Sequence, residues 1–196
     1  MRGAMFAMPK AMRLPSWAWV FLLALSLAGC ASNTIPYLAT RENVAALQAL
    51  PRGQVALGQF TAQNPGLNEV AIRAVSYHSP FHDSYAEFLK EALRTELETA
   101  GRYAAGAPIV ISGELQTNTL DGSVGTGHAH ISARITIRRG NDTVYDKIVR
   151  GDNEWPSPFV GAVGIPRAAQ QYDATWEAMI ASLIADPDFV KIFQSP

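Results

Sequence analysis

The sequence predicts an α+β fold: a largely antiparallel sheet of about five strands with two amphipathic helices on one face, after a signal peptide and a tether. Three observations predict it. Residues 129–137 alternate apolar and polar without a break and run into a Gly140-Asn141 hairpin signal. Two stretches, residues 84–100 and the residues after Pro166, carry apolar side chains at helical spacing. The candidate elements follow the order β, β, α, β, β, β, α, which does not alternate strand with helix as a parallel sheet requires. With 48% of its 196 residues hydrophobic and 17% charged, the chain has the material for one core without disulfide or metal. No cofactor is called for.

The first thirty residues stand apart from the rest. Arg2, Lys10 and Arg13 precede an apolar run at residues 14–27 that holds Trp17, Trp19, Phe21 and Leu22 and no charge, the layout of a signal peptide. A spanning helix needs about 20 apolar residues, so a permanent transmembrane anchor is the weaker reading. The run closes on Leu27, Ala28, Gly29 and Cys30, the only cysteine of the chain. Two small residues give a peptidase access to the backbone, and the thiol supplies a nucleophile for a thioether.

That motif resembles the lipobox of bacterial lipoproteins, and the resemblance implies acylation of Cys30 as the first residue of the mature chain. Residues 1–29 are then a lipoprotein signal peptide, residues 30–53 a lipidated N-terminus and tether, and residues 54–196 a single α+β periplasmic domain. Ala31 and Ser32 follow the cysteine, with no aspartate to retain the protein at the inner membrane under the enterobacterial pattern, which favours the periplasmic face of the outer membrane. Removing the three cations of the leader from the 16 Lys and Arg leaves 13 against 17 Asp and Glu, a net charge of -4. Such a body lacks the basic field of a nucleic-acid binder.

Along the body, a short helix is expected around residues 42–50, then strands at residues 54–61 and 69–77 joined across Asn64-Pro65-Gly66 as a hairpin. Ser84 and Glu87 form a capping box, and Gly101 stands where a helix ends. That helix sets Tyr85, Phe88, Leu89, Ala92, Leu93 and Leu97 toward a core and Glu87, Lys90, Glu91, Arg94 and Glu98 toward water. Strands at 109–116 and 143–150 flank the alternating strand at 129–137. The last helix begins after Pro166, carries Tyr172, Trp176, Met179, Ile180, Leu183 and Ile184 on one stripe, and stops before Asp186-Pro187.

Candidate chemistry is sparse. His128 and His130 share the polar face of one strand, but no cysteine or spaced carboxylate completes a metal set. Gly122, Gly125 and Gly127 lack the Lys-Ser/Thr ending of a phosphate loop and lead into a strand. Ser123 is not framed as a nucleophile elbow, because Asp121 stands where its first glycine would be. The most unusual segment is residues 155–166, apolar and interrupted by Pro156, Pro158 and Pro166. It either packs over the sheet and helix or waits for a partner or membrane, and Trp155, Phe159 and Val160 are its candidate partner-binding residues.

The order of elements over residues 54–185 is similar to that of small envelope lipoproteins of the lipopolysaccharide-assembly and transport-auxiliary type and of uncharacterised outer-membrane lipoproteins. The resemblance implies a non-catalytic accessory or scaffolding subunit of an envelope system, held to the membrane through Cys30 and bound to another envelope protein. A lipid-anchored hydrolase acting on envelope polymers is the alternative.

Overall fold

A computed structural model describes residues 37–194, which fall within one compact unit spanning residues 33–196. The elements are α1 (Arg41–Ala49), β1 (Ala56–Ala62), a 3-10 turn (Pro65–Asn68), β2 (Val70–Ile72), β3 (Val75–Tyr77), α2 (Tyr85–Thr99), β4 (Ile109–Asp121), β5 (Gly125–Arg139), β6 (Asp142–Ser157), α3 (Gly161–Ala185) and α4 (Pro187–Ile192). The α+β class holds. The sheet has four strands in the order β1-β4-β5-β6, and β2 with β3 forms a separate two-stranded ribbon.

Two expectations about the sheet are corrected. β1 does not pair with the next strand across Asn64-Pro65-Gly66; it pairs in parallel with β4, Ala56 beside Val110 and Thr61 beside Glu114. The crossover carries α2, so the sheet is mixed where an antiparallel one was expected. Residues 69–77 are not one strand but two, because Arg73 adopts a left-handed φ of 57° and folds Val70 back against Tyr77. The apolar alternation continues through the turn, so its spacing alone hides it.

β5 is the centre of the fold. Ala129, Ile131, Ala133, Ile135 and Ile137 are all at most 1% exposed and face the two long helices. β5 pairs antiparallel with β4 from Ile111 opposite Ile137 to Asp121 opposite His128, and with β6 from Gly125 opposite Ser157 to Ile137 opposite Tyr145. Both helices cover the same face, since Tyr85 of α2 stacks on Trp176 of α3 and Phe88 packs against it at a tilt, with ring centroids 6.0 and 5.1 Å apart. At Gly151 a Cβ would lie 2.3 Å from the Thr175 carbonyl oxygen, so the absent side chain sets how closely α3 lies against β6.

The helix ends follow local chemistry. Ser84 caps α2 by accepting from the Glu87 amide at 3.3 Å. Asp186 ends α3 and caps α4, accepting from the Asp188 amide at 2.8 Å. α3 starts at Gly161, five residues before the proline expected to precede it. Pro166 removes only the N–H that would have bonded the carbonyl of Ala162, which is exposed to water. Among the described residues, no helix is long and apolar enough to cross a membrane.

Candidate interaction site

The three residues between β6 and α3, Pro158, Phe159 and Val160, are fixed by one side chain. The Arg73 guanidinium donates to the carbonyl oxygens of Gly122 at 3.1 Å, of Phe159 at 3.1 Å and of Pro158. Ser157 donates its hydroxyl to the same Gly122 carbonyl at 3.2 Å. The β2–β3 turn, the β4–β5 loop and the β6–α3 link are thereby tied together through their main chains. A planar guanidinium suits this work because its five donors are held in a fixed fork.

With the backbone held, the side chains point outward. Phe159 is 81% exposed, and Val160, Val163 and Val124 of the β4–β5 loop are each more than half exposed. From Ser157 to Pro166 the chain carries no charge. A large aromatic held on a fixed backbone has the properties of an interface anchor, because little ordering entropy remains to be lost on binding.

The expected partner-binding set divides here. Trp155 is 3% exposed and belongs to the core, which corrects its placement at a surface. β6 continues to Ser157, and Trp155 lies on the inward alternation of that strand. Its indole covers Gly127, the residue opposite, where a Cβ would come within 2.4 Å of the ring. Pro156 does not end the strand because β6 is at the sheet edge, where a missing N–H costs no ladder bond. Phe159 and Val160 remain at the surface. Arg73, which holds them there, has no signal in the local sequence.

The sheet face away from the helices is polar. His128 and His130 stand over β5 with parallel rings 6.3 Å apart. Each has a cross-strand acid: His130 Nδ1 lies 2.8 Å from Asp152, and His128 Nδ1 lies 3.7 Å from Glu154. Farther along, Arg134 makes a two-pronged bond to Asp146 at 2.7 and 2.6 Å. Among the described residues, no group of three or more His, Cys, Asp or Glu side chains is placed to hold a metal ion. Cys30, the expected lipidation site, lies outside the described residues.

No protein-family model matches the chain, and no curated protein matches it. Solved structures do. Protein XCC0632 from Xanthomonas campestris, of the DUF330 family, is similar with a TM-score of 0.55 at 12% identity, over 81% of this chain and 94% of that one. A "putative lipoprotein" from Caulobacter crescentus CB15 has a TM-score of 0.42 at 11% identity, over 79% of this chain and 98% of its own. The hypothetical protein CT253 from Chlamydia trachomatis has the same TM-score and identity, over 68% of this chain and 96% of its own. The first likeness establishes a shared fold. It carries neither the lipobox nor a lipopolysaccharide-assembly role, and fold alone does not transmit function.

Proposed function

We propose that this chain is a lipid-anchored, non-catalytic protein of the bacterial envelope, an accessory or scaffolding subunit that docks a partner protein through Phe159, Val160 and Val163. One structural observation carries the docking role: a phenylalanine 81% exposed on a backbone that Arg73 holds by the Pro158 and Phe159 carbonyls and ties to the Gly122 carbonyl of the β4–β5 loop. The run from Ser157 to Pro166 has no charged side chain of its own, which favours a partner surface that offers an apolar pocket. The anchor is supported by the sequence, in which the only cysteine closes a signal-peptide run behind Ala28 and Gly29. Ala31 and Ser32 after the cysteine, with no aspartate there, favour the periplasmic face of the outer membrane. Multiple acyl chains hold a protein to a bilayer far longer than one does.

Two experiments test this. Metabolic labelling with a fatty-acid probe marks the native chain and leaves a Cys30→Ser variant unlabelled; label surviving in that variant defeats the anchor. A photo-reactive residue in place of Val160 yields a reproducible crosslinked partner in cells, and Phe159→Ala abolishes that product while changing folding stability by less than about 0.5 kcal/mol. Loss of stability by several kcal/mol in Phe159→Ala would show that the side chain serves the core instead.

A further inference from the structure

The segment that leads from the proposed anchor into the domain is bracketed at both ends of a short helix by two groups from one neighbourhood of the fold. At its start, a single oxygen of Glu96 on α2 accepts from the Tyr37 hydroxyl at 2.7 Å, the Thr40 amide at 3.0 Å, the Thr40 hydroxyl at 3.2 Å and the Asn43 amide group at 3.1 Å. At its end, the Arg102 guanidinium donates to the carbonyls of Leu47 at 3.1 Å, Gln48 at 3.0 Å, Pro51 at 2.9 Å and Leu50. The anion stands at the N-terminus of α1 and the cation at its C-terminus, the arrangement that the helix dipole favours.

Besides these, the Asn43 amide group donates to the Glu177 carbonyl oxygen at 3.4 Å and the Tyr37 ring meets Phe88 edge-on, 6.2 Å between centroids. α1 buries only Asn43 and Leu47, far less apolar surface than α2 or α3 contributes. Glu96 is wholly buried, and its second oxygen, Oε2, has no hydrogen-bond partner. Glu177 of α3 stands near it, and the Glu177 carboxyl is raised by burial first and then by the negative charges of Glu96 and Glu42. A buried carboxylate with one bare oxygen and like-charged neighbours regains solvation when the helix above it lifts away.

We propose that residues 37–53 form a releasable latch that sets how far the domain stands from its membrane anchor. With residues 37–53 docked, at most seven residues, 30–36, separate the anchor from the domain, a contour of about 24 Å; with them released the link is residues 30–53, a contour of about 80 Å. The sheet, α2 and α3 keep their packing in both states, because local opening follows the weakest contacts. The latch stands independently of lipidation, whereas the change of reach rests on the anchor at Cys30 proposed above.

Hydrogen exchange on the full-length acylated chain in phospholipid vesicles tests the latch. Amides of residues 41–50 are expected to exchange about a hundredfold or more faster than those of residues 129–137 in β5. Glu96→Ala and Arg102→Ala should each speed residues 41–50 by a further tenfold or so and leave β5 within about twofold. A dye on Asn141→Cys, read against labelled lipid, should then lose energy transfer in both variants. Equal exchange in α1 and β5, or variants that speed both together, overturns the latch. Faster α1 exchange with unchanged energy transfer overturns the change of reach alone. A Cys30→Ser chain that still sediments with vesicles defeats the anchor, a failure separate from that of the latch.

Discussion

Arg73 and Arg102 build two segments with the same device, a guanidinium donating into successive main-chain carbonyls. Arg73 secures the β6–α3 link and Arg102 secures the end of α1. What differs is the chain on either side. The link clasped by Arg73 runs into buried structure in both directions, into Trp155 on β6 and into Ala168 and Tyr172 on α3. The segment clasped by Arg102 has a single core side chain on its α1 side, Leu47, and re-enters the core on its β1 side through Val55 and Ala56. The same hydrogen bonds therefore give a fixed knuckle in one place and a detachable strap in the other. Rigidity follows from the flanks more than from the clasp.

The largest effect should come from removing a flank. Trp155→Ala empties the inward end of β6 and is expected to cost about 3 to 5 kcal/mol, a fall in Tm of about 10 °C in a chain of this size. If the knuckle were rigid through Arg73 alone, thermal denaturation would show a much smaller loss.

Arg73→Lys keeps the charge and loses the fork that serves three carbonyls. A cost of about 2 kcal/mol in global stability is expected, read by urea denaturation, because the link cannot detach without disturbing β6 and α3. Arg102→Lys is the matched test. Its expected cost to global stability is about 1 kcal/mol or less, with new cleavage by limiting protease confined to residues 37–53. Equal costs in the two variants would erase the distinction between knuckle and strap.

The smallest effect is a gain. Asp173 on α3 is pushed up to about 6, by burial first and then by the negative charge of Glu177. A carboxyl raised in the folded state binds its proton more tightly there than in the unfolded chain. Its contribution to stability is therefore fully present below the ordinary carboxylate range and is lost as pH rises through about 6. Asp173→Asn should raise stability by about 1 kcal/mol above pH 7 after allowance for partial solvent screening, and should flatten the Tm profile between pH 4 and 7. A variant whose profile matches the parent's would show that Asp173 is well solvated.

Much of the fold is legible in the sequence where the signal is periodic and local. The β5 alternation names its buried face residue by residue, and Ser84 marks the start of α2. The parallel pairing of β1 with β4 is not legible, because it joins segments some fifty residues apart and depends on where α2 comes to rest. The candidate site divides in the same way. Apolar composition identifies residues 155–166 as unusual but cannot separate inward Trp155, near the end of β6, from outward Phe159, in the link after it. Arg73 and Arg102 escape notice for another reason: their acceptors are carbonyls, which every residue carries. Glu96 is hidden too, since it sits in a helix whose other acids lie toward water.

β6 is the free edge of the sheet and runs for 16 residues, a length that offers a neighbouring chain a long row of unpaired amides and carbonyls. Asp142, Asp146, Lys147, Arg150, Asp152 and Glu154 are spaced along it, and Pro156 removes one donor near its end. Charges and a proline on an exposed edge oppose strand-to-strand accretion. Two copies meeting along β6 find those charges and the proline between them, so the strand is a built-in guard against fibrous self-assembly.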